Sequence, residues 1–266
     1  MAIYDINGLE IATGGSSSSS SQSELQRKFG GKNIVWLGDS IHAYLQPDGV
    51  TIPFFFGYHS GANIYNWAQG GMTMALTGVT NYDCYSGVGM VDAMVSRDFT
   101  AQETYAGDNH GTAQGNFNEQ VAEMKSLALA DMDYVIIEYG TNDCMKLVPT
   151  GTDGVDLDTT TTAGALYYMI KTLQTAKPTL GIAVCNVQPM TGYADAEHQK
   201  PYDSANQNEV IKTVCESLNV PMIDLCNLLG INDYTKATLL SDGLHRSHQG
   251  KLKQVQVIEN QMCLMF

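Results

Sequence analysis

The chain has 266 residues, 44% of them hydrophobic, with 14 Lys and Arg against 28 Asp and Glu, a formal net charge of −14 at pH 7. That length buries the core of one α/β domain, and that charge argues against nucleic acid and anionic membrane surfaces as partners. A polyanionic substrate is repelled at long range, whereas a neutral sugar or a short ester is not. The six cysteines (Cys84, Cys144, Cys185, Cys215, Cys226, Cys263) form no C-x-x-C pair and read as reduced, mostly buried thiols.

In chain order, Ile3 to Ile11 around Asn7-Gly8 predicts a small hairpin over residues 1–13, because Asn-Gly accepts the left-handed angles of a two-residue turn. An isolated hairpin is marginal in water, so it is expected to pair with the main domain or with another chain, the latter giving oligomerisation or docking through residues 1–13; an unstructured leader is the alternative. Gly14-Gly15 and Ser16 to Ser21 read as a tether, with 14–30 as linker and lead-in and 31–266 as the main domain. The N-terminus lacks the basic-then-apolar layout of a signal peptide, so the expected location is the cytoplasm, or release by lysis or in a virion. No apolar run approaches the ~18 residues of a membrane span.

Ser23 to Phe29 predicts a short helix, and Asn33 to Leu37 a strand buried on both faces, ended by Gly38-Asp39-Ser40. Ile41 to Leu45 opens a helix, and Ile52-Pro53-Phe54-Phe55-Phe56 reads as a loop or helix edge near that strand end. Asn63 begins a second strand that runs into Gly70-Gly71, where backbone N–H groups can approach a ligand. Helices are expected at 88–95 (Met90, Val91, Met94 and Val95 inward), 116–130, 165–176, 204–218 and 247–262. Strands are expected at 133–139, 181–187 and 221–225. Asp153, Asp156 and Asp158 lack the spacing of a calcium loop and read as a solvated stretch. Strand and helix alternate about five times, which predicts an α/β fold, a mostly parallel sheet of about five strands between two helical layers.

Ser40 falls at the carboxyl edge of a parallel strand, where open α/β sheets bind ligands; alone, it reads as a turn serine capping the next helix. Near the end, Asp242-Gly243-Leu244-His245 places an Asp three residues before a His. The Asp can hold the imidazole Nδ1–H, leaving the other ring nitrogen to take a proton from a serine. No Gly-x-Ser-x-Gly, His-Glu-x-x-His, P-loop or dinucleotide motif is present.

Taken in order, Leu37 to Ser40, a Gly-rich turn, Val135 to Asp143 with Gly140-Thr141-Asn142-Asp143, and Asp242 to His245 resemble the blocks of the SGNH (GDSL-like) hydrolases over residues 31–266. The resemblance implies their flavodoxin-like three-layer α/β/α sandwich and a metal-independent serine esterase without cofactor. Ser40 is then the nucleophile, His245 the base and Asp242 its orienter. The oxyanion hole would be the Ser40 N–H, the Ala68 N–H and the Asn142 amide, donors worth ~3–4 kcal/mol each in comparable sites. Two departures stand out. Asn66-Trp67-Ala68-Gln69-Gly70-Gly71 has Ala68 where the family often has glycine, and Arg246 replaces the proline common after the histidine.

Gly71, Trp67 and Asp39 are expected at the substrate, although Asp39, like Asp143, also suits a turn-holding role. Trp67, Tyr65, Tyr139 and Phe54 to Phe56 could form an aromatic wall. His248 reads as an exposed imidazole in the first turn of the last helix. The expected substrate is a small acyl ester, an O-acetyl group on carbohydrate. The alternatives are a lipase or lysophospholipase, or a non-catalytic glycan-binding or structural component of a phage tail or surface appendage.

Overall fold

The computed structural model describes residues 3–4, 10–11, 19–43, 50–107, 117–152, 157–188 and 204–266. Strands β1 (Ile3–Tyr4) and β2 (Glu10–Ile11) pair antiparallel, Ile3 opposite Ile11. The Asn7-Gly8 turn, the serine tether up to residue 18, and Asp153 and Asp156 lie outside the described residues.

The body begins with α1 (Ser19–Phe29), β3 (Asn33–Gly38), α2 (Ser40–Ala43), α3 (Ile52–Ser60) and β4 (Asn63–Asn66). Next come α4 (Thr80–Asp83), α5 (Gly87–Ser96), α6 (Thr100–Tyr105) and α7 (Asn118–Ser126), then β5 (Tyr134–Glu138) and α8 (Thr141–Met145). The chain closes with α9 (Thr162–Ala176), β6 (Gly181–Cys185), α10 (Ser204–Ser217), β7 (Met222–Ile223), α11 (Leu225–Leu228), α12 (Lys236–Leu239) and α13 (His248–Met265).

Five strands form one parallel sheet in the order β4-β3-β5-β6-β7. The period-2 alternation of each strand divides the core in two. Val35, Leu37, Val135, Ile137, Ile182 and Val184 face the side covered by α5, α7, α9 and α10. Ile34, Trp36, Ile136, Ala183, Cys185 and Ile223 face α1, α3 and α13. Both faces are covered, which is why these strands read as continuous apolar runs. After β3 the chain crosses to β4 on one side, and β5 then pairs on the other side of β3. The carboxyl ends of β3 and β5 therefore flank the crevice where such sheets place ligands.

The structure changes three expectations. Residues 52–60 form a helix, because Thr51 caps it by accepting a hydrogen bond from the Phe54 N–H at 3.3 Å and a proline in the first turn breaks no helical bond. Val95, placed inward by pattern, lies at the edge of the buried stripe of α5 and is exposed. The helix expected at 116–130 is shorter, with a separate turn at Leu129–Asp131, although Val121, Met124, Leu127 and Leu129 are all buried. No described helix is long and apolar enough to cross a membrane.

Candidate active site

Strand β3 ends at Gly38, and the sequence tolerates nothing larger there. A Cβ on Gly38 would sit 2.7 Å from the Glu138 carbonyl oxygen of β5 and 3.2 Å from His42 Nδ1. Asp39 follows, its Oδ1 accepting from the Ile41 N–H at 3.0 Å, which turns the chain so that Ser40 opens α2. Gly38→Ala is expected to cost about 1–3 kcal/mol of stability and to displace Ser40. A denaturant midpoint equal to wild type would contradict this packing argument.

The histidine arrives on a loop that Asp242 organises. Its Oδ1 accepts the N–H groups of Leu244 (2.9 Å) and His245 (2.7 Å), and its Oδ2 meets His245 Nδ1 at 2.6 Å. Gly243 takes φ +90°, a conformation that favours glycine. Ser241 N–H donates to the His245 carbonyl, Leu240 bridges Arg246, and buried Gln188 donates to the Leu244 carbonyl at 2.7 Å. His245 Nε2 then lies 3.0 Å from Ser40 Oγ. Burial pushes the Asp242 carboxyl up, but the bonds from the His245 ring and the two backbone N–H groups outweigh it and hold the group below the usual carboxylate range. It stays ionised and faces the ring as an acceptor.

The third corner lies at the carboxyl ends of β4 and β5. The Ala68 N–H donates to Asn66 Oδ1 at 3.3 Å, and Asn66 Nδ2 donates to the His42 carbonyl at 3.2 Å. Asn142, the second residue of α8, gives one amide N–H to the Met72 carbonyl at 3.0 Å and has its other N–H unused among the described residues. Gly140, just before α8, has φ +119°, and Gly71 has φ +78°. A cleft of about 360 Å³ opens beside Asn66, lined by Thr51, Phe54, Ile64, Asn66, Glu119, Gln120 and Glu123.

Ser40, His245, Asp242, Ala68, Asn142 and Gly71 thus fall at the carboxyl edge of the sheet. Trp67 and Asp39 do not present their side chains to a substrate, which corrects their assignment as substrate contacts. Trp67 is 0% exposed and packs in the core, with its indole N–H on Glu123 Oε2 at 3.0 Å, and Asp39 is 1% exposed. Of the aromatic wall, Tyr139, Phe55 and Phe56 are buried, leaving half-buried Tyr65 and Phe54, which is 46% exposed and lines the cleft. Asp143 bonds its own backbone N–H and also holds a remote turn, accepting the N–H groups of Met74 and Ala75 at 2.8 and 3.1 Å. His248 is half-buried, its ring edge-on to Phe55. Sequence reasoning missed the parts played by Asn66 and Gln188. The only sequence signal for Asn66 was its place two residues before Ala68.

The family model of GDSL-like lipases and acylhydrolases matches residues 36–252. Among solved structures, a Lactobacillus plantarum protein superposes with TM-score 0.64 at 19% identity, covering 89% of this chain and 99% of its own. A proposed SGNH hydrolase from Slackia heliotrinireducens gives 0.52 at 13% identity, covering 87% and 99%. A proposed GDSL-like lipase from Bacteroides uniformis gives 0.52 at 14%, covering 88% and 96%. At these identities the structures speak for the fold. No curated protein matches the chain in sequence. The family match, spanning the strand that ends at Ser40 and the loop that carries His245, makes this chain a member of the GDSL-like lipase/acylhydrolase family.

Proposed function

We propose that this protein is a serine esterase that removes small acyl groups, O-acetyl above all, from carbohydrate. The supporting observation is the relay from Ser40 Oγ to His245 Nε2 at 3.0 Å and from His245 Nδ1 to Asp242 Oδ2 at 2.6 Å. Neutral serine is a poor nucleophile, and a base at hydrogen-bond distance whose far side rests on a carboxylate removes that limit. In this reading Ser40 attacks the ester carbonyl while His245 takes its proton. His245 then protonates the departing alcohol, and water repeats the sequence on the acyl-enzyme.

The developing oxyanion would be met by the Ser40 N–H, the second amide N–H of Asn142 and the Ala68 N–H, from which Asn66 Oδ1 has to withdraw. Only a backbone N–H is needed at Ala68, so alanine serves as well as glycine. The cleft beside Asn66 mixes one exposed aromatic with hydroxyl, amide and carboxylate groups. Ser40 and His245 do not line this cleft, which meets the site through Asn66; apart from Phe54 and Ile64 its lining is polar, which suits a polyhydroxyl alcohol better than a long acyl chain.

Hydrolysis of p-nitrophenyl acetate, butyrate and octanoate tests the reading, followed by release of acetate from acetylated oligosaccharides. The expected order of kcat/KM is acetate, then butyrate, then octanoate. Preference for octanoate would replace it with a lipase-type activity.

A further inference from the structure

Behind the relay runs a chain of buried polar side chains distinct from Ser40, His245, Asp242 and the oxyanion donors. Arg246, the residue after the base, is 1% exposed and donates its Nε–H to Gln254 Oε1 at 2.6 Å. Gln254, on α13, donates its amide to Glu138 Oε2 at 2.7 Å. Glu138, the last residue of β5, takes a second bond on the same oxygen from His42 Nε2 at 2.5 Å. His42 lies in the same short turn as Ser40, and its carbonyl receives the Asn66 amide, the same side chain that reaches the Ala68 N–H. All four members, Arg246, Gln254, Glu138 and His42, are buried. One continuous path therefore touches the base loop, the nucleophile turn and the oxyanion corner, which come from elements far apart in sequence.

We propose that Arg246, Gln254, Glu138 and His42 are positioning residues that together set the separation of Ser40 and His245 and the placement of Asn66. The inference rests on the esterase reading above. The physical argument is one of geometry and cost. Among the described residues, Arg246 Nη1 and Nη2 and His42 Nδ1 are buried without hydrogen-bond partners. Such groups cost more than a well-packed apolar core would. A fold that needed only stability at this point would be served better by apolar side chains, as proline at position 246 would do for the loop. The guanidinium remains charged at neutral pH although burial draws it down to about 10, with Glu138 opposing that fall. A charged, hydrogen-bonded chain has one low-energy arrangement, because each link is directional and an unpaired member has no water to turn to. It fixes position where apolar packing would allow slip, and a shift of about 1 Å between reacting groups costs on the order of 10²-fold in rate.

Gln254→Leu breaks the middle of the chain, Arg246→Gln breaks its end, and neither touches substrate. Each is assayed on p-nitrophenyl acetate, alone and combined. Rates are expressed per active serine titrated with a fluorophosphonate, so that partial unfolding does not count as a catalytic loss. The expected result for each single variant is a fall in kcat of about 10-fold or more with KM changed by less than about twofold. The double variant should lose no more than the worse single one, because both break one chain. Should Gln254→Leu fail to fold, Arg246→Gln decides on the same criterion. Full kcat per titrated serine with a lowered melting temperature makes the chain purely structural and overturns the proposal. Independent, multiplying losses overturn it too. A wild type that the fluorophosphonate does not label overturns the esterase reading, and this inference with it; labelling of wild type with unaltered variants overturns the inference alone.

Discussion

Ser40→Ala is expected to lower kcat for p-nitrophenyl acetate by at least ~10³-fold while leaving the melting temperature close to wild type. Among the described residues the hydroxyl's hydrogen bond is to His245 Nε2, and Ser40 is half-buried, so its removal empties no core volume and orphans no fully buried group. His245→Ala should produce a loss of the same order, and the double variant should be no worse than either, because a nucleophile without its base and a base without its nucleophile fail at the same step. Asp242→Asn is the most informative member of the series. The asparagine can keep its oxygen on the N–H groups of Leu244 and His245, which preserves the loop. It would then present an amide N–H to His245 Nδ1, forcing the tautomer whose Nε2–H points at Ser40 and cannot accept its proton. The expected loss is ~10³–10⁴-fold with an unchanged melting temperature. Ser40→Ala retaining activity within about tenfold of wild type would mean that another group attacks the ester, and the relay would lose its assigned role.

These three residues were legible in the sequence because each belongs to a short local pattern. A β-branched run stopped by Gly-Asp-Ser exposes the nucleophile, and an Asp three residues before a His closes a loop on itself, as the bonds from Asp242 to Leu244 and His245 show. The strands β3, β5 and β6 were legible for the same reason, being apolar runs bounded by turn residues. What the pattern did not carry was anything held together across elements. Trp67 at the end of a strand reads as a substrate contact or as core packing, and it is the second, with Glu123 of α7 taking its N–H, a pairing 56 positions away. Asp143 reads as a turn-holder, yet its carboxylate is used by Met74 and Ala75 on a different segment. Arg246 announced itself only by standing where proline is common, and its partners Gln254, Glu138 and His42 lie on three other elements. Phe54 to Phe56 read as a loop or helix edge because a proline ends many helices, but the first turn of a helix is where proline fits.

The stability of the protein is expected to fall as pH rises from about 4 to 8, and Asp39→Asn is expected to abolish much of that fall. Burial pushes the Asp39 carboxyl up from 3.8 to about 8, with the neighbouring charges of Glu138 and Asp143 adding to the rise. Its Oδ1 accepts the Ile41 N–H and the Thr141 side chain also lowers the group, but Oδ2 has no hydrogen-bond partner among the described residues, and burial outweighs both bonds. Burial likewise raises Asp143 to about 6, less far because Met74 and Ala75 donate to it. Below pH ~4 each group is protonated in both folded and unfolded chains and contributes no pH dependence. Between that point and the folded-state value the unfolded chain releases the proton and the native chain keeps it. The native state therefore binds more protons, and stability declines with pH, up to about 6 for Asp143 and about 8 for Asp39. For Asp39 the full window amounts to a few kcal/mol, by ~1.4 kcal/mol per pH unit. An asparagine at position 39 keeps the acceptor for Ile41 and carries no charge to bury. Chemical denaturation of wild type and Asp39→Asn at pH 4, 6 and 8 isolates the effect, since the other titrating groups cancel in the difference. The variant should gain on wild type steadily as pH rises. A difference that stays constant from pH 4 to 8 would mean that Asp39 ionises in the folded protein as readily as in water, and that the carboxylate behind the nucleophile is charged during turnover.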